Sequence, residues 1–257
     1  MSVLLEARSI TKHFGGVQAL QDVSLTINRG EIYGLIGPNG AGKTTFFNVL
    51  TGLYARDSGE VTLNGKPLPL GKPHEICAAG FARTFQNIRL FANMTALENV
   101  MVGRHARATS GVIGAVLRSS SARSEEAAIR RRAEELLHYV GIADRAEYLA
   151  RHLSYGDQRR LEIARALATE PKLLALDEPA AGMNANETAG LRTLIEGLRS
   201  DGITILLIEH DVKLVMGLCD RVAVLDYGQK IAEDVPEQVR RNPKVIEAYL
   251  GASVAAA

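Results

Sequence analysis

The stretch "GPNGAGKTT", Gly37 to Thr45, decides the fold, because it matches the pattern G-x-x-x-x-G-K-[ST]. The apolar run "EIYGLIG" leads into it with the character of a strand, and "KTTFFNVL" follows with the character of a helix. Glycines let such a loop curl so that successive backbone N–H groups point at one anion, and the start of the helix adds partial positive charge. The alternative is a plain glycine turn, which is disfavoured because motif and context agree. The stretch therefore predicts a phosphate-binding loop.

A phosphate loop of this type predicts a nucleotide site with bound Mg²⁺. Lys43 is expected to reach the β- and γ-phosphates, and the Thr44 hydroxyl is expected to be a Mg²⁺ ligand. The residues predicted to contact the nucleotide in this loop are Gly37, Pro38, Asn39, Gly40, Ala41, Gly42, Lys43, Thr44 and Thr45.

Two carboxylates follow a second apolar run, "KLLALDEP". Asp177 ends this predicted strand at the carboxyl edge of the sheet, where open α/β sheets bind ligands, and we expect it to help hold Mg²⁺. Glu178 is adjacent and is expected to polarise a water for attack on the γ-phosphorus. The alternative is a pair of acids in a helix cap or turn, which is much less favoured beside a phosphate loop.

A third apolar run, "ITILLIEH", carries His210 to the same edge of the sheet. We predict that His210 hydrogen-bonds the γ-phosphate, against the alternative of a structural histidine. Gln86, in "RTFQN", is a candidate ligand of Mg²⁺ or of the attacking water, although a single glutamine is a weak signal.

The remaining chain predicts an α/β protein with a mostly parallel core. The N-terminal runs "VSLTIN" and "GEVTLNG" are typical of antiparallel strands, and "RVAVLDYGQKIAED" is typical of a hairpin. The helix "ETAGLRTLIEGLRSDG" between two buried runs predicts a βαβ unit. Thr95 and Glu98 have capping-box spacing at the start of another helix. Residues from about Gly103 to Ser124 have the composition of a loop-bounded insert.

Composition limits the partners that we expect. The chain has 257 residues, with 46% hydrophobic and 23% charged residues and a formal net charge of +1. Such a balance is ordinary for a globular protein and gives no global electrostatic attraction to nucleic acid or to an anionic membrane. We therefore expect no nucleic-acid partner. No apolar run approaches membrane-spanning length, so we do not expect the chain to cross a bilayer by itself.

The stretch "LSYGDQRR", Leu153 to Arg160, precedes an apolar-periodic segment and predicts the start of a helix. Ser154 is placed to cap that helix, and Asp157 lies at capping-box distance from it. Because helix N-termini also bind anions, Ser154 and its neighbours are candidates for a phosphate contact as well. The two interpretations are compatible.

These motifs, in this order, resemble the nucleotide-binding subunit of ABC transporters: the phosphate loop, Gln86, "LSYGDQ", "LALDEP" and His210. The resemblance implies a P-loop NTPase fold with a RecA-like, mostly parallel core, an antiparallel β portion and an inserted helical lobe. It implies that Phe14 stacks on the adenine of ATP, where the alternative is a partly buried core aromatic. It also implies that Ser154 and Gly156 contact the γ-phosphate of ATP held by a second ATPase subunit.

The resemblance also implies a division of the chain. The cassette covers 4–251, with a RecA-like lobe over about 4–86 and 161–235, a helical lobe over about 87–160 and a helical tail over about 236–257. The sequence departs from the usual family pattern at three positions of its functional loops, namely Tyr155, Asp157 and Asn184.

A closer resemblance, carried by "GFARTFQNIRLFANMTALENV", "LDEPAAGMN" and "VIEAYLG", is to the ATPase subunit of branched-chain amino-acid importers. Importers of urea and short amides are close alternatives, and the ATPase of lipopolysaccharide export is a more distant one. A non-transport ABC protein is a further alternative. The importer resemblance implies hydrolysis of MgATP at the cytoplasmic face of the cell membrane. The implied partners are a second ATPase subunit, two permease subunits that dock near residues 87–99, and an extracytoplasmic solute-binding protein.

Overall fold

The computed structural model describes residues 2–105 and 120–254. In this part of the chain the strands form one four-stranded sheet, ordered β2-β1-β4-β5, and one six-stranded sheet, ordered β10-β9-β3-β8-β7-β6. The strands are β1 (Val3–Phe14), β2 (Val17–Asn28), β3 (Ile32–Ile36), β4 (Ser58–Leu63), β5 (Lys66–Pro67), β6 (Phe81–Arg83), β7 (Leu173–Asp177), β8 (Thr204–Ile208), β9 (Arg221–Asp226) and β10 (Gln229–Asp234).

Helices surround the two sheets. The α-helices of the described residues are α1 (Lys43–Leu50), α2 (Pro73–Ala78), α3 (Ala96–His105), α4 (Ser120–Tyr139), α5 (Tyr155–Leu167), α6 (Ala185–Ser200), α7 (Val212–Leu218), α8 (Pro236–Arg241) and α9 (Pro243–Val254). Within residues 2–105 and 120–254, none of the helices is both long enough and apolar enough to cross a membrane.

The six-stranded sheet is parallel from β9 to β6, and β10 joins its edge in antiparallel orientation. Every residue of β3, β7 and β8 is buried, which explains why these strands are continuous apolar runs. The four-stranded sheet is antiparallel throughout. The predicted fold class, with a mostly parallel core and an antiparallel portion near the N-terminus, is confirmed.

Alternate residues of the parallel strands enter two separate hydrophobic cores. On β8, Leu206 and Ile208 pack into the core that contains α1 and the antiparallel sheet, where Phe46 and Phe47 are fully buried. Ile205 and Leu207 face the other core, which α3 to α7 cover. The parallel sheet is thus covered on both faces, and only the ends of its strands are left to form a site.

The predicted helical portion contains α3, α4 and the first part of α5, which pack into one core. The capping box at the start of α3 is present, since Thr95 N–H donates to Glu98 Oε2 at 2.7 Å and Glu98 N–H donates to Thr95 Oγ1 at 3.1 Å. Helix α5 runs without interruption across the predicted lobe boundary at residues 160 and 161. The exact division into lobes stays a prediction.

The insert predicted from about Gly103 to Ser124 was expected to be bounded by loops, and this is wrong at both of its ends, since Gly103 and Ser124 lie in helices. Helix α3 extends to His105 and α4 begins at Ser120, while residues 106–119 lie outside the described part of the chain. Gly103 is needed for close helix packing, because a Cβ there would lie 2.3 Å from the Arg165 carbonyl oxygen. The glycine indicated a close approach of two helices and not a loop.

Candidate nucleotide-binding and catalytic site

The phosphate loop connects β3 to α1, as the sequence predicts. Gly37 has a φ of 153°, and a Cβ at this position would lie 2.1 Å from the Leu225 carbonyl oxygen. Gly42 stands at the N-cap of α1 with a left-handed φ of 97°. Asn39 and Gly40 are exposed at the tip of the loop. The loop is therefore exposed at its tip and leads into the start of a helix, where an anion binds well.

Lys43 crosses the mouth of this loop. Its Nζ donates to the carbonyl oxygens of Gly37 at 2.6 Å and Pro38 at 2.9 Å. Burial lowers the pKa of Lys43, while the nearby carboxylates of Glu178 and Asp177 raise it. The ammonium thus bonds the loop and interacts electrostatically with both predicted acidic residues, and its contact with a phosphate stays a prediction.

Asp177 is the last residue of β7 and is only 2% exposed. Its Oδ2 lies 3.6 Å from an Arg83 guanidinium nitrogen. Burial raises the pKa of Asp177 to about 6, with Glu178 adding to the rise and Arg83 opposing it. Burial therefore disfavours the charged form of this carboxyl, and a nearby cation would favour it.

Glu178 follows directly and adopts a left-handed backbone with a φ of 47°. Its N–H donates to the Ile208 carbonyl oxygen of the neighbouring strand at 2.8 Å, which holds this conformation in place. A non-glycine residue in the left-handed region is uncommon and is stabilised only by its surroundings. The side chain, which is 20% exposed, lies at the end of β7, where Gln86 and His210 also lie.

Gln86 and His210 both contact this carboxylate. Gln86 Nε2 donates to Glu178 Oε2 at 2.9 Å, and His210 Nδ1 lies 3.9 Å from the same oxygen. The structure therefore brings together three residues that are far apart in the sequence, and it places His210 near Glu178, as predicted from the ends of the two apolar runs. Their roles toward a nucleotide stay predictions.

Two buried residues that the sequence analysis missed support the cluster. Glu209 is fully buried and its carboxylate accepts hydrogen bonds from the Ala180 N–H at 2.9 Å and the His210 N–H at 3.2 Å. Arg83 donates at 2.8 Å to both Asn48 Oδ1 and Thr51 Oγ1. Single polar residues within or next to an apolar run carry no spacing signal, so only their position in the fold reveals these contacts.

Phe14 ends β1 and is 45% exposed, so the alternative of a partly buried core aromatic is wrong. Tyr54 packs edge-on against it with 5.2 Å between the ring centroids, and Lys12 Nζ lies 5.4 Å from the Phe14 centroid. Lys12 is itself held by Asp57 at 2.7 Å. The exposed ring is available for stacking, and contact with adenine stays a prediction.

Ser154 caps α5, as predicted, because its Oγ accepts the Asp157 N–H at 3.2 Å. Gly156 is buried in the first turn, where a Cβ would lie 2.8 Å from Glu187 Oε1. Asn184 has a structural role that the sequence did not reveal. It caps α6 in a complete capping box with Glu187.

A phosphate loop between a parallel strand and a helix, with a carboxylate at the end of a neighbouring parallel strand, defines a P-loop nucleoside triphosphatase. The chain belongs to the ABC transporter family, which matches residues 20–181. It is accordingly an ATP-binding ATPase subunit, as the sequence predicts. Residues 229–255 also match the family "Branched-chain amino acid ATP-binding cassette transporter".

Individual proteins agree with this assignment. The chain is 46% identical over 249 residues to the high-affinity branched-chain amino acid transport ATP-binding protein LivG of Escherichia coli K12, covering 96% of this chain and 98% of LivG. Its fold matches the ADP conformation of MJ1267, an ATP-binding cassette of an ABC transporter, with a TM-score of 0.85 and 33% identity, covering 98% of this chain and all of MJ1267. It also matches the dimeric structure of the bacterial cassette MJ0796, with a TM-score of 0.77 and 26% identity, covering 91% of this chain and 99% of that one.

Proposed function

We propose that the chain is the ATPase subunit of an importer for branched-chain amino acids, located at the cytoplasmic face of the cell membrane. Support comes from the similarity to LivG along almost the whole chain and from the match of the C-terminal residues to the branched-chain amino acid transporter family. The observation that carries the hydrolytic part is the cluster of Gln86, Glu178 and His210 beside Lys43.

In the proposed reaction, Lys43 and the N–H groups of the phosphate loop bind the phosphates of ATP. One oxygen of Glu178 is held by Gln86, and the other accepts a proton from the attacking water. The water oxygen forms a bond to the γ-phosphorus as the bond from that phosphorus to the bridging oxygen breaks, and ADP leaves. His210 donates to the γ-phosphate.

The donor set fits Mg²⁺. Among residues 2–105 and 120–254, no group of three or more His, Cys, Asp or Glu side chains is placed to hold a metal alone. Mg²⁺ at nucleotide sites needs only one or two protein carboxylates, because phosphates and water supply the other ligands. Asp177, the Thr44 hydroxyl and the Gln86 amide oxygen are the proposed protein ligands. Bound Mg²⁺ would neutralise the phosphate charge.

We propose the partners from the similarity to ATPase subunits of branched-chain amino acid transporters and from one exposed apolar surface. Phe91 and Met94 are large apolar residues that are 46% and 37% exposed in the segment after Gln86. Fully buried Asn99 holds this segment, since its Oδ1 accepts the Phe91 N–H at 2.9 Å and its Nδ2 donates to the Phe91 carbonyl oxygen at 3.1 Å. A rigid segment with exposed apolar side chains suits the docking of a permease. A second ATPase subunit and a solute-binding protein complete the proposed importer.

The catalytic proposal is tested by Glu178→Gln, which removes the proton acceptor and keeps the shape of the side chain. ATP binding should persist, while phosphate release should fall by roughly 10²–10⁴, the usual scale for general-base catalysis. The matched control is Glu196→Gln, on the exposed face of α6, which should hydrolyse ATP at the normal rate. Normal turnover of Glu178→Gln would show that the base lies elsewhere.

The transport proposal is tested in lipid vesicles that contain this chain together with the two permease subunits and the second ATPase subunit. Leucine-loaded binding protein should accelerate ATP hydrolysis and drive leucine uptake. Stimulation by urea or a short amide instead would assign the chain to the related importers. Stimulation by lipopolysaccharide would assign it to an exporter.

A further inference from the structure

A buried ion pair on α5 lies against the segment that carries Gln86. Arg159 and Glu162 are only 2% and 1% exposed, and Arg159 Nη1 lies 3.3 Å from Glu162 Oε2. Neither residue belongs to the cluster around Glu178. Burying two charges is costly unless further hydrogen bonds satisfy them, so the partners of this pair indicate what it is for.

Those partners are main-chain groups on both sides of Gln86. Arg159 Nη1 donates to the Phe85 carbonyl oxygen at 2.6 Å, and Nη2 donates to the Gln86 carbonyl oxygen. Glu162 Oε1 accepts the N–H groups of Phe85 at 3.3 Å and Arg89 at 3.4 Å. Helix α5 therefore fixes the backbone from which the Gln86 side chain reaches Glu178. Charge-assisted bonds of this kind are the stronger hydrogen bonds in proteins.

The same guanidinium also contacts Tyr155, in the first turn of α5. Arg159 Nη2 donates to the Tyr155 hydroxyl at 2.9 Å, so this nitrogen serves both Tyr155 and the Gln86 carbonyl oxygen. The Tyr155 ring is 45% exposed and lies against Gly182, where a Cβ would be 3.3 Å from Cε1. Tyr155 stands between Ser154 and Gly156, the two residues expected to face the ATP of a second subunit.

We propose that Arg159 is a positioning residue for Gln86 and that the Tyr155 hydroxyl couples the segment 154–156 to it. The inference rests on the proposed function, in which Gln86 orients Glu178. When a second subunit binds at segment 154–156, movement of Tyr155 shifts the guanidinium and with it the Gln86 carbonyl. Tyr155, one of the three departures from the usual family pattern, thus connects the pairing surface of a subunit to its own hydrolytic residues.

The first test is Tyr155→Phe in the full-length chain, which removes only the hydroxyl. We expect kcat for ATP to fall about 3- to 10-fold, the rate equivalent of one lost hydrogen bond, while KM and the melting temperature stay nearly unchanged. Tyr139→Phe is the matched control, because its hydroxyl bonds Asp201 at 2.6 Å and its exposure of 40% is similar. That control should keep the normal kcat. A Tyr155→Phe protein with normal kcat would overturn the coupling.

The second test asks whether Tyr155 acts through Gln86. In a Gln86→Ala background, Tyr155→Phe should lower kcat no further, since the side chain that is being positioned is gone. A full additional loss would mean that Tyr155 acts by another route. That result would overturn the coupling of Tyr155 to Gln86, while the proposed role of Gln86 in hydrolysis would stand. If Gln86→Ala itself kept the normal kcat, both the proposed role of Gln86 and this inference would fail.

Discussion

At the scale of single residues, the site contains a buried acid whose charged form is disfavoured. Asp177 and Arg83 face each other at 3.6 Å, yet burial raises the pKa of Asp177 to about 6 and lowers the pKa of Arg83 to about 10. Each shift disfavours the charged form, so the attraction between the two groups does not offset their desolvation. Asp177 therefore lowers the stability of the folded protein at a position where its carboxylate is proposed to hold Mg²⁺.

Asp177→Asn should consequently stabilise the nucleotide-free protein at pH 7.5. The folded-state pKa lies above the ordinary 3.8, so the wild-type protein loses stability as pH rises from about 4 to 6, by at most about 3 kcal/mol for this shift. Because Arg83 loses its charged partner in the variant, we expect a net gain of about 1–2 kcal/mol. Thermal melts without Mg²⁺ should show this gain above pH 6 and little difference near pH 4. A variant that melts lower than wild type at pH 7.5 would contradict the argument, and ATP hydrolysis should be lost in either case.

At the scale of elements, helix α6 depends on its first residue. Asn184 Oδ1 accepts the N–H groups of Asn186 and Glu187, each at 3.0 Å, and Glu187 Oε2 accepts the Asn184 N–H at 2.9 Å. Aspartate caps helices as well as asparagine does. The departure at Asn184 therefore leaves the helix start intact.

Two substitutions at Asn184 test whether its cap contributes to the stability of the protein. Asn184→Ala should lower the free energy of unfolding by about 1 kcal/mol, while Asn184→Asp should leave it nearly unchanged. Urea unfolding of both variants measures the difference. Equal losses in the two variants would show that the cap does not determine stability here.

The hairpin of β9 and β10 carries strain at its turn. Asp226 pairs with Gln229 across a two-residue turn, in which Tyr227 and Gly228 have φ values of 41° and 76°. Positive φ at both positions is typical of a type I′ turn, in which asparagine before glycine is favoured. Tyrosine tolerates this conformation poorly, and its ring is 86% exposed.

Tyr227→Asn should therefore raise the free energy of unfolding by about 1 kcal/mol, the scale of the left-handed penalty for an ordinary residue. The exposed Tyr148, which has no positive φ, gives a matched control in Tyr148→Asn. Urea unfolding should show a gain for the first variant and none for the second. Destabilisation by Tyr227→Asn would mean that the ring makes contacts that outweigh the backbone preference.

The sequence predicts a structural feature well when the residues that determine the feature lie in one short segment of the chain. The sequence predicts β7 and β8 because burial on both faces restricts every position of a short strand to apolar residues. It predicts the phosphate loop because close approach to phosphate restricts the residue types of a short loop. Arg83, Glu209 and Arg159 were not predicted, because their partners lie in other segments of the chain. The composition near Gly103 favoured a loop at the boundary of an insert, but the close packing of α3 against α5 produces a helix there.

At the scale of the whole molecule, the placement of Ser154 is the strongest reason to expect a pair of subunits. Ser154 is the N-cap of α5, which packs on one face of the parallel sheet. The phosphate loop leads into α1, which packs on the opposite face. Ser154 is exposed and its hydroxyl caps the helix, and such a helix start suits phosphate binding. The phosphate that we propose for it is the γ-phosphate of ATP held by a second subunit. The solved dimer of a similar cassette shows that this fold can pair.

The pairing prediction can be isolated from helix capping by two substitutions at Ser154. Both are made in the Glu178→Gln background, where slow hydrolysis should let an ATP-bound pair accumulate. Ser154→Arg removes the cap, at a cost of about 1 kcal/mol, and blocks close approach, whereas Ser154→Asp keeps a good cap but opposes phosphate with a negative charge. With MgATP, light scattering after gel filtration should give the mass of a pair for the parent and of a single chain for both variants. The ATP affinity of each single chain should stay normal.

Since Ser154→Asp should melt close to the parent, its failure to pair cannot be attributed to unfolding. If Ser154→Asp pairs as well as the parent, Ser154 serves only as a helix cap. If either variant loses its own ATP affinity, the segment contacts the nucleotide of its own subunit instead.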